Sequence, residues 1–157
     1  MTDSTSIPLP LRSLLMGVLS GSRSMTPLAM LAVYRDRGDW GDWPVLRSQA
    51  GRAALVLAAV GELVGDKLPM APSRTTPGPL LARVATGAIT GAALGTLAGP
   101  GGWRQGAALG AVGAVVGSFA GSGFRAGGAA IGVPDVVLAL VEDAVTVASS
   151  AAVVAAD

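Results

Sequence analysis

The sequence predicts an all-α protein, a polytopic membrane bundle of about five helical spans. Hydrophobic residues make up 51% of the chain and charged residues only 13%, against about 25% charged residues in soluble domains. Aromatic residues contribute 4%, so the apolar character comes from Ala, Val, Leu and Gly. Small residues at this density are typical of helices packed closely in lipid. They disfavour the alternative of a soluble Ala/Gly-rich bundle.

The 157 residues suit one domain. Residues 1–8 are polar at the start, and we expect them to be a disordered N-terminus, followed by a single helical membrane domain at 9–157. Arg12 interrupts the apolar start and no small-residue cleavage site follows it, so a signal peptide is not expected.

The first hydrophobic segment, Leu9–Tyr34, contains the sequence GSRSMTP. Thr followed by Pro favours a helix start, here with Thr26 as N-cap and Pro27 at the first helical position. The pattern predicts two half-helices joined at Arg23, namely Leu11–Ser20 and Pro27–Tyr34. The alternative is one continuous helix kinked at the proline, with Arg23 near a membrane interface.

Charges, Gly, Pro and two Trp residues predict a loop at Arg35–Arg47. The second span is expected at Ser48–Leu68, with Pro69 ending it. Its C-terminal half carries Glu62 and Asp66, four residues apart and therefore on one helix face. Acidic residues in an apolar helix are costly, so they usually face a partner or a water-filled path.

The third and fourth spans, Leu80–Gly99 and Trp103–Gly123, carry glycines mostly at four-residue spacing. This spacing predicts a stripe on each helix where another backbone can approach, as in a glycine zipper. The glycines expected to serve helix packing are Gly87, Gly91, Gly95, Gly99, Gly106, Gly110, Gly113, Gly117 and Gly121. The short GPGGW connection makes the two helices antiparallel neighbours, and no strand precedes the glycines as a nucleotide-binding motif requires.

A glycine-rich turn is expected after Arg125, and Pro134 begins the fifth span. Glu142 and Asp143 interrupt this apolar helix, and the spacing predicts that Glu142, Thr146 and Ser149 share a face.

The stretches at Gly17–Met30 and Gly117–Ala130 are weakly similar: each has an apolar helix followed by a Gly/Ser break that carries an Arg. The apolar helices that follow, ending in acidic residues, are also alike. These units would have opposite topologies, which suggests an inverted repeat of the kind found in transporters. The alternative is chance similarity in a biased composition.

The acidic residues expected to line an ion or proton path are Glu62, Asp66, Glu142 and Asp143, with Arg23, Arg125 and Lys67 as charge partners. A buried carboxyl group can exchange a proton, and two carboxylates could hold a hard cation. A helix start beside Arg23 would instead suit an anion. The alternative is purely structural, with Arg23 paired to Glu62 and Arg125 to Glu142. We favour protons or cations because we expect the acidic residues to lie deeper than the arginines.

Other chemistries are disfavoured by residue content. The chain has no Cys and no His, so we expect neither a catalytic nucleophile nor a metal centre nor any cofactor. The net charge of +1 does not suggest a nucleic-acid partner. We therefore do not expect an enzyme.

The motifs GSRSMTPLA and GELVGDKLP and the glycine-rich helices after them resemble a bacterial integral membrane family known as domain of unknown function 4126. The resemblance covers most of the chain from Leu11 onward. Its most specific parts are Gly21–Arg23 with Pro27, and Glu62 with Asp66, Lys67 and Pro69. Where that family has a His- and Asp-containing connection, this chain has PSRTTP, with Ser73 and Arg74. The resemblance implies a multi-pass location in the bacterial cytoplasmic membrane and no established activity.

Two functions fit these observations. The first is a small ion- or proton-coupled permease or channel that uses the buried carboxylates and acts on a small ion or solute. The second is a non-transporting membrane scaffold or assembly factor that packs partner helices through its glycine stripes. In both cases we expect contact with the lipid bilayer and a homo-oligomer.

Overall fold

A computed structural model describes residues 7–34, 43–66 and 75–156. Within these ranges the chain forms seven α-helices and no strand, in agreement with the predicted helical bundle. The helices are α1 (Leu9–Ser22), α2 (Met25–Val33), α3 (Pro44–Arg47), α4 (Gln49–Gly65), α5 (Pro77–Gly95), α6 (Gly102–Ala130) and α7 (Asp135–Ala155), and a 3₁₀ turn at Thr96–Ala98 extends α5.

Among the described residues, three helical stretches are long and apolar enough to cross a membrane. They are Pro77–Ala98, Gly102–Ala130 and Asp135–Ala155, with mean hydropathies of 1.4, 1.5 and 1.8. The remaining helices are shorter, with 14 residues in α1, 9 in α2 and 17 in α4. The bundle is thus compatible with a membrane protein, while five separate spans are not evident from helix length.

Glycines line the antiparallel pair α5 and α6. The facing pairs are Gly95 with Gly102, Gly91 with Gly106, and Gly87 with Gly110. A Cβ atom added at any of these positions would collide with backbone atoms of the opposite helix, so the close approach depends on glycine. Gly99 has a different role from the one predicted. It lies in the connecting turn at φ 94°, with open space where a Cβ atom would be.

Helix α1 packs against both members of this pair. Gly17 faces Gly110, and Gly21, one turn later, faces Ala114, so α1 and α6 run in the same direction. This parallel arrangement contradicts the predicted inverted repeat, in which the segments containing these two helices would run in opposite directions. The expected break after Gly121 is also absent, because α6 continues without interruption to Ala130.

The predicted glycine-rich turn after Arg125 is therefore wrong in its position. The helix continues because Gly128 lets α6 pack against the side chain of Leu138 in α7, a contact that outweighs the low helix propensity of glycine. The turn comes later, at Gly132, where φ is 83°. Pro134 then precedes α7, as predicted.

Helix α2 turns back rather than continuing in line with α1. Leu31 of α2 belongs to one buried cluster with Met16, Leu94 and Val154. These residues lie near the N-terminal half of α1, where Arg12 donates hydrogen bonds to the carbonyl oxygens of Val153 and Val154. A straight continuation of α1 would carry α2 away from this cluster, so α1 and α2 form a helical hairpin.

Part of the predicted loop at Arg35–Arg47 is helical. Residues 35–42 lie outside the described residues, but α3 spans Pro44–Arg47 and fully buries Leu46 in the core. Ser48 then starts α4 by accepting a hydrogen bond from the Gly51 N–H at 2.9 Å. Helix α4 runs beside α2. It ends level with the turn between α1 and α2, as the hydrogen bonds of Glu62 to the first residues of α2 show.

Candidate functional site

The site is built around the break between α1 and α2. Arg23 is the single extended residue there, with φ −139° and ψ 108°, and Ser24 is the N-cap of α2. A helix end leaves its last carbonyl groups or its first N–H groups without intrahelical partners. Two such ends meet at this break, within the bundle, so other helices must supply the partners.

Glu62 satisfies the start of α2. Its carboxylate oxygens accept hydrogen bonds from the N–H groups of Ser24, at 2.6 Å, and Met25, at 2.8 Å. A negative charge at this position is favoured because the N-terminal end of a helix carries partial positive charge. The predicted N-cap, Thr26, is wrong by two residues. The helix starts earlier because a carboxylate from another helix supplies the acceptors that a local hydroxyl would have provided.

Arg83 satisfies the end of α1 in the complementary way. Its Nη1 donates hydrogen bonds to the carbonyl oxygens of Gly21, at 2.9 Å, and Ser22, at 2.7 Å. Its Nη2 lies 3.8 Å from Oε1 of Glu62. A cation stabilises the partial negative charge at a helix C-terminus, so Arg83 and Glu62 neutralise the two ends of the broken helix and each other.

Arg23 is fully buried and forms ion pairs with two carboxylates. One is Asp66, the residue that ends α4, and the other is Asp143 of α7. We refer to Arg23, Glu62, Asp66, Arg83 and Asp143 as the Arg23 junction. It brings together residues from α4, α5, α7 and the turn between α1 and α2. The expectation that the acidic residues lie deeper than the arginines is wrong for Arg23, which is more buried than either of its carboxylate partners. It is confirmed for the other predicted pair, because Glu142 is more buried than Arg125.

Glu142 and Asp143 face different arginines although they are adjacent in the chain. The Arg125 Nε donates a hydrogen bond to Oε2 of Glu142 at 3.1 Å, which confirms that predicted pair. The Arg125 Nη1 also lies 3.6 Å from Oδ2 of Asp135, which is 69% exposed. The four predicted acidic residues therefore form two groups, three at the Arg23 junction and Glu142 with Arg125.

An apolar cavity of about 310 Å³ lies between α1, α6 and α7, beside Glu142. Glu142 and Thr146 are among its lining residues, and so is Gly121, one of the predicted packing glycines. Both Glu142 and Thr146 are buried, as their predicted common face requires. Ser149, the third residue of that face, is half-buried, and its neighbour Ser150 is the more buried of the two. A spacing of four residues continues from Thr146 to Ser150, which is fully buried.

Lys67, the remaining predicted charge partner, lies outside the described residues. Within residues 7–34, 43–66 and 75–156, no group of three or more Asp, Glu, His or Cys side chains is arranged to hold a metal ion.

Arg83 was missed as a site residue. Sequence reasoning placed it only at a membrane flank, yet it is buried and contacts both α1 and Glu62. A signal was present, since Arg83 precedes Gly87 by four residues and therefore continues the glycine stripe of α5 onto the inner face of the helix. Arg12 was missed in the same way, and it hydrogen-bonds the last turn of α7.

Comparisons of this chain with protein-family models, with curated proteins and with solved structures returned no match.

Proposed function

We propose that this protein is a small multi-pass protein of the bacterial cytoplasmic membrane that moves protons, or a solute coupled to protons, through the Arg23 junction. The observation that carries the proposal is a broken helix whose two ends and five charged side chains meet inside an apolar bundle. Charged groups at membrane depth are costly and commonly mark ion or proton paths. Non-helical backbone at this depth is tolerated only where it faces protein or water.

The depth of the junction in the bundle supports this proposal. Asp143 lies about 12 Å along α7 from its first residue, and Arg83 about 9 Å along α5 from Pro77. A bilayer has an apolar core about 30 Å thick. If α5, α6 and α7 cross the membrane, the junction lies well inside the apolar layer.

This geometry favours a different count of spans from the five that were predicted. We infer three complete spans, α5, α6 and α7, with α1, α2 and α4 entering the apolar layer and ending at the Arg23 junction. Discontinuous helices whose ends meet near the middle of the membrane are a common arrangement at transporter binding sites. The resemblance to the bacterial membrane family stays a prediction and implies only the location.

Proton exchange would act on the ion pairs of Arg23. Protonation of Asp143 or Asp66 removes one of the two negative charges that compensate the buried guanidinium group. The weakened pairing would favour an arrangement in which α4 or α7 shifts relative to the turn between α1 and α2. Proton binding can bias such a two-state equilibrium only because the two arrangements differ in their affinity for the proton.

Proton flux into proteoliposomes under an imposed membrane potential tests the proposal. We expect Asp143→Asn to abolish flux, since Asn cannot exchange a proton at this position. Asp135→Asn is the matched control on the same helix, because Asp135 is largely exposed and its loss should leave flux unchanged. Wild-type flux in a folded Asp143→Asn variant would contradict the proposal.

The scaffold alternative depends on glycines that are still available to partner helices. Most predicted packing glycines contact helices of this same chain, and we propose that they act as an internal glycine zipper. Gly61 and Gly65 on α4 differ, because open space lies where their Cβ atoms would be. These two glycines support self-association through α4, beside the exposed side chains of Leu57 and Val64.

Light scattering of the protein in mild detergent tests self-association. We expect an oligomer for the wild type and a monomer for Gly65→Leu, whose new side chain would occupy the interface without touching the protomer's own core. A monomeric wild type would contradict an interface of this kind.

A further inference from the structure

Three hydroxyl groups are buried without a hydrogen-bond partner among the described residues. They belong to Ser20 of α1, Thr26 of α2 and Ser150 of α7. All three side chains are almost completely inaccessible. A buried polar group without a partner costs about 1–3 kcal/mol, and it usually indicates a water molecule or ion that completes its hydrogen bonds.

Equally buried hydroxyl groups elsewhere in the bundle do have partners. Ser13 donates to the carbonyl oxygen of Gly91 at 3.3 Å, and Thr90 to that of Thr86 at 2.7 Å. Ser118 donates to the carbonyl oxygen of Ala114 at 2.8 Å. These satisfied hydroxyl groups belong to α1, α5 and α6, whereas the three unsatisfied ones belong to α1, α2 and α7.

Contacts between the helices place the three unsatisfied hydroxyl groups within about two helical turns of the Arg23 junction. The contacts of Arg12 with Val153 and of Arg23 with Asp143 fix α1 and α7 as antiparallel neighbours. Ser20 is one turn before Arg23, and Ser150 is two turns after Asp143, about 10 Å along α7.

Thr26 lies at about the same level of the bundle as Ser20. It lines a cavity of about 180 Å³ together with Val147 of α7, and Val147 is one turn after Asp143. The walls of this cavity are apolar, so it gives the level of Thr26 in the bundle and is not the space that we assign to water.

We propose that Ser20, Thr26 and Ser150 hold a file of internal water between α1, α2 and α7 that begins at the Arg23–Asp143 ion pair. Each water molecule in the file satisfies a hydroxyl group that is otherwise unpartnered. The file extends the junction toward the C-terminal end of α7. The role of the file as a proton route rests on the proposed function, whereas the presence of water does not.

Radiolytic hydroxyl-radical labelling of the full chain in lipid nanodiscs tests for this water. Radicals formed from bound water oxidise the side chains beside it. Met16 is a suitable reporter, because it is fully buried and lies on the same face of α1 as Ser20. We expect Met16 to be oxidised in the wild type and its oxidation to be lost in the Ser20→Ala, Thr26→Val, Ser150→Ala triple variant.

Ser118→Ala is the matched control, since it removes a buried hydroxyl group that has protein partners, and Met16 oxidation should be retained. The single variants Ser20→Ala and Ser150→Ala, each of which should reduce the oxidation, replace the triple variant if that does not fold. Equal oxidation of Met16 in the wild type and the hydroxyl-free variants would overturn the proposal. Oxidation of Met16 in a protein that shows no proton flux would support the water file and contradict the proposed transport function.

Discussion

The glycine-lined interface of α1, α5 and α6 and the Arg23 junction are adjacent parts of one bundle with opposite chemistry. In the interface, backbones touch because the side chains are missing, as at Gly91 and Gly106. At the junction, helix ends are held apart and stabilised by long charged side chains such as Arg83. The change from glycine contacts to charged contacts occurs along one face of α5, where Arg83 lies one turn before Gly87.

This difference shows how one packing stripe can serve two purposes. An intact helix satisfies its own backbone, so its neighbours need only close contact. A broken helix exposes donors and acceptors that only side chains from other helices can satisfy. Charge is therefore concentrated where α1 ends and α2 begins.

Removing the central cation should have the largest effect. Arg23→Met leaves Asp66 and Asp143 without the guanidinium group that they share, and loss of one member of a buried ion pair costs about 3–5 kcal/mol. Reversible unfolding in mixed micelles would measure this loss. Arg104→Gln is the control, because Arg104 is exposed beside Trp103. Equal stabilities of the two variants would contradict a structural role of Arg23.

A smaller effect, of opposite sign at two positions, distinguishes the packed glycines from the open ones. Gly91→Ala forces a Cβ atom against the carbonyl group of Gly106, and overpacking of this kind costs about 1–3 kcal/mol. Gly123→Ala meets no neighbour and should stabilise α6 by up to about 1 kcal/mol through its helix propensity. The same unfolding measurement applies, and destabilisation by both variants would refute the distinction.

Local sequence patterns were sufficient for several features of the molecule. The break at Arg23, the start of α7 after Pro134 and the inward face of Glu142 and Thr146 all depend on residues close together in the chain. Helical periodicity and the conformational limits of proline act over a few residues. They can therefore be recognised without knowing the rest of the fold.

Features that depend on distant residues could not be predicted in this way. The cap of α2 comes from Glu62, 37 residues after Met25, so the local signal at Thr26 indicated the wrong start. The reversal of α2 depends on burial against α5 and α7, which no local pattern specifies. The role of Arg83 could be predicted only by knowing that its face of α5 lies against the C-terminal end of α1.

A double-mutant cycle between Arg23 and Asp143 tests most directly whether the junction is held by ion pairs inside the bundle. Its four proteins are the wild type, Arg23→Met, Asp143→Leu and the double variant, compared by free energy of unfolding. Paired burial predicts that the double variant is more stable than the sum of the two single losses implies, by an interaction energy of about 1–3 kcal/mol. Strict additivity of the two losses would contradict the pairing of Arg23 with Asp143.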